Sequence, residues 1–229
     1  LSINSKILRK LIKYLEIKDQ KEALKKFYSK LMHLNLSDKS LIVSEIIQQL
    51  SQDSSNSEFV IIQYLNQFYP EDFGILAPLY MNHIKLLPGD CMFIEYGEIH
   101  SYLNGSGFEI MANSDNVIRG GLTNKHIDFN ELIKVLNFNF NLPKEIAVEL
   151  SDNEMLKTIQ PQVNEFGMSI LKLTDTQYQF QPLSTEMWFC SLGNPIISDL
   201  SAENKTVLKP GEALLIPASL DSITLEGVG

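Results

Sequence analysis

The sequence predicts an α+β chain: a helical domain over residues 1–67, then two small β-barrel or jelly-roll units over 68–140 and 141–229. Three observations predict it. Apolar residues recur at three- and four-residue spacing up to about residue 67. The periodicity changes at Pro70. One phrase then occurs twice, 122 residues apart, as Leu87-Pro88-Gly89-Asp90-Cys91-Met92-Phe93-Ile94 and Lys209-Pro210-Gly211-Glu212-Ala213-Leu214-Leu215-Ile216. A repeated strand-turn-strand unit suits two related barrels, each removing its sheet edges by closure.

The first helix carries Ile7, Leu8, Leu11, Ile12 and Leu15 on one stripe, and the second Leu24, Phe27, Tyr28 and Leu31. Ser37 and Asp38 offer a cap for a third, with Leu41, Ile42, Ile46, Ile47 and Leu50 as its apolar face; the polar run from Ser51 to Ser57 ends it. A fourth runs from Phe59 to Phe68 and stops at Tyr69-Pro70, because the residue before a proline disfavours helical backbone. These stripes read as packing faces rather than a binding groove. Beyond them, Pro70-Glu71-Asp72-Phe73-Gly74 reads as a turn, Leu79 to Leu86 alternates like a strand, and Pro88-Gly89 turns the chain into a strand from Cys91 to Ile94.

A short helix is expected over Asn130 to Leu136, started by Asp128-Phe129-Asn130-Glu131, and Phe138 to Leu150 then crosses to the second barrel. Strands are expected there at Glu165 to Leu173, Gln177 to Gln181, Glu186 to Leu192, Thr206 to Leu208, Ala213 to Ile216 and Ser222 to Leu225. Trp188 and Phe189 are expected to pack its core. Laid over one another, the two copies of the repeated phrase set Ser222 opposite His100, so the second barrel lacks that imidazole and reads as structural.

Composition narrows the function. With 229 residues and 44% hydrophobic content, the chain can bury one sizeable core or two modest ones. A formal net charge of -9 and the lack of a basic stripe argue against nucleic-acid binding. No apolar run approaches the ~18 to 20 residues that cross a bilayer. Cys91 and Cys190 sit in apolar runs without C-x-x-C spacing and read as reduced, buried thiols of a cytosolic protein. The chain opens on a leucine followed by mixed charges and stops inside an expected strand, so both ends are expected to lie within a longer protein.

The chemistry-bearing stretch is Glu98 to Lys125. Period-two alternation places His100 and Tyr102 on one strand face. An imidazole there can ligate zinc or another first-row metal, although a lone strand histidine is more commonly a hydrogen-bonded core or surface group. Glu109, among Phe108, Ile110 and Met111, is a carboxylate in apolar company and needs a partner or a metal. Asp115, Arg119 and Lys125 continue the polar series. A guanidinium and an ammonium this close in an acidic chain suit an anion such as a phosphate; the plain alternative is solvated turn charge.

These residues resemble the C-terminal signature of the type I mannose-6-phosphate isomerases, or phosphomannose isomerases, of the cupin superfamily. In that signature H-A-Y, G, E, M-A, S-D-N, R-A-G and T-P-K follow one another at fixed spacing. This chain has His100-Ser101-Tyr102, Gly105, Glu109, Met111-Ala112, Ser114-Asp115-Asn116, Arg119-Gly120-Gly121 and Thr123-Asn124-Lys125, with the spacing unbroken. Ser101 and Gly120 stand where alanine is usual, and Asn124 where proline is usual; the last change loosens the turn that presents Lys125. The resemblance extends to the helical domain, which takes the place of that family's helical insert. It makes both barrels cupin-type, the first incomplete because of truncation.

The resemblance implies reversible aldose-ketose isomerisation of mannose 6-phosphate and fructose 6-phosphate through a cis-enediol(ate). It implies a cytoplasmic monomer whose partner is a small-molecule hexose 6-phosphate, with neither nucleic acid nor membrane. The implied cofactor is Zn2+, one per full-length chain, with His100 as one metal ligand. The family's other ligands come from Q-x-H and N-H-K-P-E stretches, and this sequence contains neither. They are therefore expected in a missing N-terminal segment, and the chain alone is expected to be inactive and to bind zinc weakly. Isomerisation needs a base to move a proton between C2 and C1, and an electrophile for the enediolate. Arg119 is implied as catalytic, against the developing charge, with Tyr102, Glu109, Asp115 and Lys125 binding substrate. His100 and Arg119 must then point into one hollow of the first barrel. Two other classes remain: a non-catalytic sugar-phosphate-binding or regulatory cupin protein, and a helical interaction protein whose first 67 residues carry the function.

Overall fold

Helices begin where a short polar side chain can accept from a backbone N–H two or three residues on. The computed structural model describes residues 5–50, 57–70, 72–114, 116–139, 144–146, 148–150, 155–199 and 204–229. In it α1 (Lys6–Ile12) opens at Ser5, whose Oγ accepts from the Leu8 N–H at 3.3 Å, and continues as a 3-10 turn, Lys13–Glu16. α2 (Gln20–Met32) opens at Asp19, which accepts from the Glu22 N–H at 3.0 Å. α3 (Leu36–Leu50) is capped by Asn35, not by Ser37 or Asp38 as expected: Asn35 Oδ1 accepts from the Asp38 N–H at 2.8 Å and from Ser37 Oγ at 2.6 Å. Ser37 and Asp38 already lie in the first turn, where they are donors to a cap. α4 (Ser57–Phe68) ends just before Tyr69-Pro70, as the sequence predicts.

The stripes form one core. Leu31, Ile42, Ile46 and Ile62 are buried at 1% exposure or less, joined by Leu8, Leu11, Phe27, Phe59, Leu65, Ile75 and Leu76. Leu15 leaves its expected stripe and is exposed, because the tighter 3-10 winding rotates it off the α-helical face. Leu41 is likewise exposed; Ile42 and Ile46 define the buried face of α3. Tyr28 lies edge-on to Tyr80 (6.1 Å between ring centroids) and tilted against Phe138 (5.9 Å). Its hydroxyl is buried without a hydrogen-bond partner among the described residues, and burial pushes the phenol up to about 12.

After α4 the chain makes a 3-10 turn, Phe73–Leu79, opened by Asp72 and containing Pro78. The strand expected over Leu79 to Leu86 is not formed; Ile84 and Leu86 are exposed, and no described segment pairs with this run. An alternating pattern without a partner strand leaves its backbone groups to water, and a lone strand is not stable. β1 (Met92–Phe93) is short and pairs antiparallel with β2 (Lys144–Glu145), which lies inside the stretch expected only to cross between barrels. α5 (Phe129–Val135) starts as predicted: Asp128 Oδ1 accepts from the Asn130 and Glu131 N–H groups, each at 3.0 Å.

Contacts divide the chain into two compact units, Leu1–Glu145 and Ile146–Gly229. Among the described residues, every strand pairing in the second unit is antiparallel. β3 (Val148–Leu150), β4 (Leu156–Ile159) and β5 (Met168–Leu171) make one sheet in that order. A four-stranded sheet has the order β6 (Tyr178–Phe180), β11 (Ile223–Glu226), β8 (Ile196–Asp199), β9 (Lys205–Val207). β7 (Glu186–Phe189) pairs with β10 (Ala213–Ile216).

The six predicted strands all exist, three of them shorter than expected; β3, β4 and β8 were not predicted. β8 holds only the apolar pair Ile196-Ile197 before a serine, yet Ser198 is buried beside Ile197 in the sheet interior, while Ile196 is half-buried. Trp188 packs on Phe180 (5.5 Å) and donates from Nε1 to Glu186 Oε2 at 2.8 Å. Phe189 does not join the core but is exposed, since strand alternation sends it to the face opposite Trp188. Neither cysteine forms a disulfide among the described residues; Cys190 is buried, whereas Cys91 is only half-buried because it leaves the Pro88-Gly89 turn at the edge of a two-residue strand. The molecule is thus α+β, helical domain first and antiparallel sheets after. No helix among the described residues is long and apolar enough to cross a membrane.

Candidate active site

Residues 98–118 form no helix or strand among the described residues, and most are exposed. Within this extended run three of the predicted side chains meet. The His100 ring lies edge-on to Tyr102, 5.9 Å between centroids, consistent with the shared face that alternation predicts. His100 Nε2 stands 3.9 Å from Glu109 Oε1, while Nδ1 lies 3.0 Å from the Glu98 carbonyl oxygen, which accepts if that nitrogen carries the proton. Desolvation raises the Tyr102 phenol above its ordinary pKa, and its hydrogen bond to Glu109 and that carboxylate's charge add to the shift. The phenol therefore stays protonated beside the Glu109 carboxylate. The order phenol, carboxylate, imidazole follows from these contacts. The pair is about half exposed, so its electrostatic worth to stability is on the order of 0–1 kcal/mol, and only with the imidazole protonated.

Arg119 belongs to a second segment. Its side chain is exposed, but the residues around it are anchored: Ile118 and Leu122 pack on the helical core. Gly120 lies under Ile99, so close that a Cβ there would collide with Ile99 Cδ1. That contact sets the residue beside His100 against the residue beside Arg119. It also gives Gly120 a reason: an alanine would require Ile99 to turn aside. Lys125 is exposed, and its N–H donates to Thr123 Oγ1 at 3.1 Å, so a side-chain turn does here what a proline would otherwise do. Asp115 lies outside the described residues. Of the remaining histidines, His33 links α2 to α5 through the Ser29 carbonyl oxygen (2.8 Å) and Asn130 Oδ1 (3.1 Å), a packing role.

The sequence reading missed Asp72. Its carboxylate accepts from the Gly74 N–H at 2.7 Å and, across 51 residues of sequence, from the Thr123 N–H at 3.2 Å. Aspartate two residues before a glycine is a turn signal, and it was read as no more than that.

A metal needs three or more donors converging, and no group of three or more His, Cys, Asp or Glu side chains does so among the described residues. His100 and Glu109 offer two at most.

Residues 3–81 match the family model for the helical insertion domain of type I phosphomannose isomerase. The mannose-6-phosphate isomerase of Escherichia coli is 30% identical over 208 residues, which is 91% of this chain and 52% of that protein. A probable mannose-6-phosphate isomerase of Caenorhabditis elegans is 32% identical over 88% of this chain and 49% of its own length. Among solved structures, a zinc-bound mannose 6-phosphate isomerase matches with a TM-score of 0.85 at 29% identity, over 97% of this chain and 56% of that one. This chain is homologous to the type I phosphomannose isomerases. It spans about half the length of the curated relatives it matches. Structures of the Salmonella typhimurium phosphomannose isomerase, matching at a TM-score of 0.85, include alanine variants of a glutamate and of an arginine ten positions further on. The helical domain of this homologue is the part with its own deep core; the residues resembling the isomerase signature lie in the extended run that follows it.

Proposed function

We propose that this chain carries part of the active site of a zinc-dependent isomerase that interconverts mannose 6-phosphate and fructose 6-phosphate through a cis-enediolate. The observation that carries the reading is the meeting of His100, Tyr102 and Glu109, with Ile99 set against Gly120 beside Arg119. Support comes also from spacing. Glu109 and Arg119 stand ten apart, as do the glutamate and arginine replaced in the Salmonella variants.

In this reading both barrels are cupin-type, and His100 and Arg119 face one hollow of the first. Zinc is the cofactor, with His100 as one ligand. The described residues do not complete a ligand set, so the chemistry assigned to this chain does not run through the ion. Arg119 supplies a permanent positive charge against the oxygen that becomes negative as the enediolate forms; its guanidinium stays protonated at any working pH. Tyr102, kept protonated, donates to Glu109 and orients that carboxylate toward the sugar hydroxyls. Lys125, on its serine/threonine-type turn, contributes a point charge for the 6-phosphate, and Asp115 completes the substrate contacts.

The test is a chimera of the Escherichia coli enzyme that carries this chain in place of the stretch it matches. It is expected to isomerise mannose 6-phosphate, with kcat lowered about 100-fold or more by Arg119→Ala. A folded chimera that binds fructose 6-phosphate without turning it over would replace the isomerase by a sugar-phosphate-binding protein. Unchanged kcat in Arg119→Ala would remove Arg119 from the catalytic role.

A further inference from the structure

Besides the packing of Ile118 and Leu122, the helical domain and the Arg119 segment meet where two glycine backbones cross. Gly121 has φ +146°, and a Cβ there would stand 3.1 Å from Gly74 Cα and 3.4 Å from Asp72 Oδ1. A Cβ on Gly74 would stand 3.0 Å from Asp72 Oδ1, 3.0 Å from the Leu122 nitrogen and 3.1 Å from Leu122 Cγ. Neither position has room for a side chain. Over this crossing the Asp72 carboxylate spends one oxygen on the Gly74 N–H and the other on the Thr123 N–H. Leu122, between the crossing and Thr123, is held at φ +53°, a conformation that L side chains avoid, so something must hold it there.

A cation of the helical domain lies near the carboxylate. Lys39, on α3, donates from Nζ to the Met32 carbonyl oxygen at 2.8 Å and lies over the rings of Phe73 (5.5 Å) and Phe129 (5.0 Å). The ammonium thus sits where α2 ends, α5 begins and the Asp72 turn passes, close enough that the Asp72 charge acts on it.

We infer that Asp72 is a positioning residue: its carboxylate clasps the backbone of residues 121–123 to the helical domain and so fixes the aim of the Arg119 side chain. This gives the helical domain a role in the site beyond bulk. The inference rests on the reading of Arg119 as the residue that meets substrate charge.

Asp72→Asn tests it, because an amide offers one acceptor oxygen where two N–H donors need two. In this chain, hydrogen exchange at the Thr123 or Gly74 amide is expected to quicken about tenfold or more, with the amides of Leu31, Ile46 and Ile62 unchanged as proof of an intact helical core. Unchanged exchange at both Thr123 and Gly74 would overturn the clasp. Should Asp72→Asn not fold, Gly121→Ala opens the same crossing from the other side and must quicken Thr123 in the same way.

In the chimera, Asp72→Asn is expected to lower kcat about tenfold while KM changes less than twofold, a split that general loosening does not produce. Equal loss in both parameters, or none, would overturn the positioning role. If the unmutated chimera folds but is inactive, it is the isomerase reading that fails, and with it the link to Arg119. The exchange result then stands or falls as a statement about the clasp alone.

Discussion

The phrase that occurs twice in the sequence makes the same turn twice and then two different strands. Gly89 and Gly211 have φ +93° and +89°, and in each copy the residue after the glycine donates its N–H to the carbonyl oxygen three residues back, at 2.9 Å. In each copy that same residue's carboxylate also returns to the N–H of the first: Asp90 Oδ2 to Leu87 at 2.7 Å, Glu212 Oε2 to Lys209 at 2.9 Å. Beyond the turn the copies part. Ala213–Ile216 pairs along its length with β7, whereas among the described residues the first copy pairs only over Met92–Phe93. The turn is encoded within four residues; the strand is decided by what lies beside it.

Truncating equivalent residues should widen that difference most. Ile216 is 2% exposed and its counterpart Ile94 is only half-buried. Ile216→Ala is expected to destabilise the second unit by about 3 kcal/mol and Ile94→Ala the first by about 1 kcal/mol. Denaturant unfolding followed by probes in each unit separates the two. Equal losses would mean that the partner strand contributes nothing to how the second copy is packed.

Raising the pH acts on the first unit through Tyr28. Its phenol is lifted from 10.0 to about 12 by burial, so folding favours the protonated form. That contribution is fully present below pH 10 and is lost as pH rises through about 12, on the order of 2–3 kcal/mol in all. Tyr28→Phe should flatten the alkaline decline of the first unit's stability. A decline that survives the substitution unchanged would assign it to another group.

What could be read in advance follows the same division between local and distant causes. The stripes of α2, the Asp128 cap of α5 and both Pro-Gly turns depend on residues within one helical turn, and each was legible. The Asn35 cap was misplaced by two and three residues because Ser37 and Asp38 have the same chemistry as a cap and stand nearby. The strand over Leu79 to Leu86 was expected from alternation that is genuine but has no described partner to satisfy. β8 hid for the opposite reason: little alternation, but neighbours on both sides. In the candidate site, the face shared by His100 and Tyr102 could be read from period two, and Glu109 from the family spacing. Asp72 could not, since nothing near it in sequence announces a partner 51 residues away.

Gly89→Ala and Gly211→Ala measure the turn itself. A Cβ on Gly211 would meet nothing within 4 Å, so its cost is the positive φ alone, roughly 1–2 kcal/mol. Because φ is nearly the same at Gly89, the two substitutions should cost the same within about 0.5 kcal/mol, although the following strands differ. A much larger loss at Gly211, measured by unfolding of each unit, would show that turn and strand in the second copy are one cooperative element.

The carboxylate that closes each turn gives the smallest and most discriminating effect. Asp90 and Glu212 are exposed, so water replaces either once it is removed, and Asp90→Ala and Glu212→Ala should each cost about 0.5–1 kcal/mol. Their side chains differ by one methylene yet reach equivalent N–H groups, so the backbone hydrogen bond must hold the turn and the carboxylate only complete it. Exchange at the Leu87 and Lys209 amides should therefore quicken on truncation while the Asp90→Ala and Glu212→Ala backbones keep their own N–H protected. If position 90 or 212 loses that protection as well, the side chain rather than the proline-glycine backbone makes the turn, and the two copies agree because of their carboxylates.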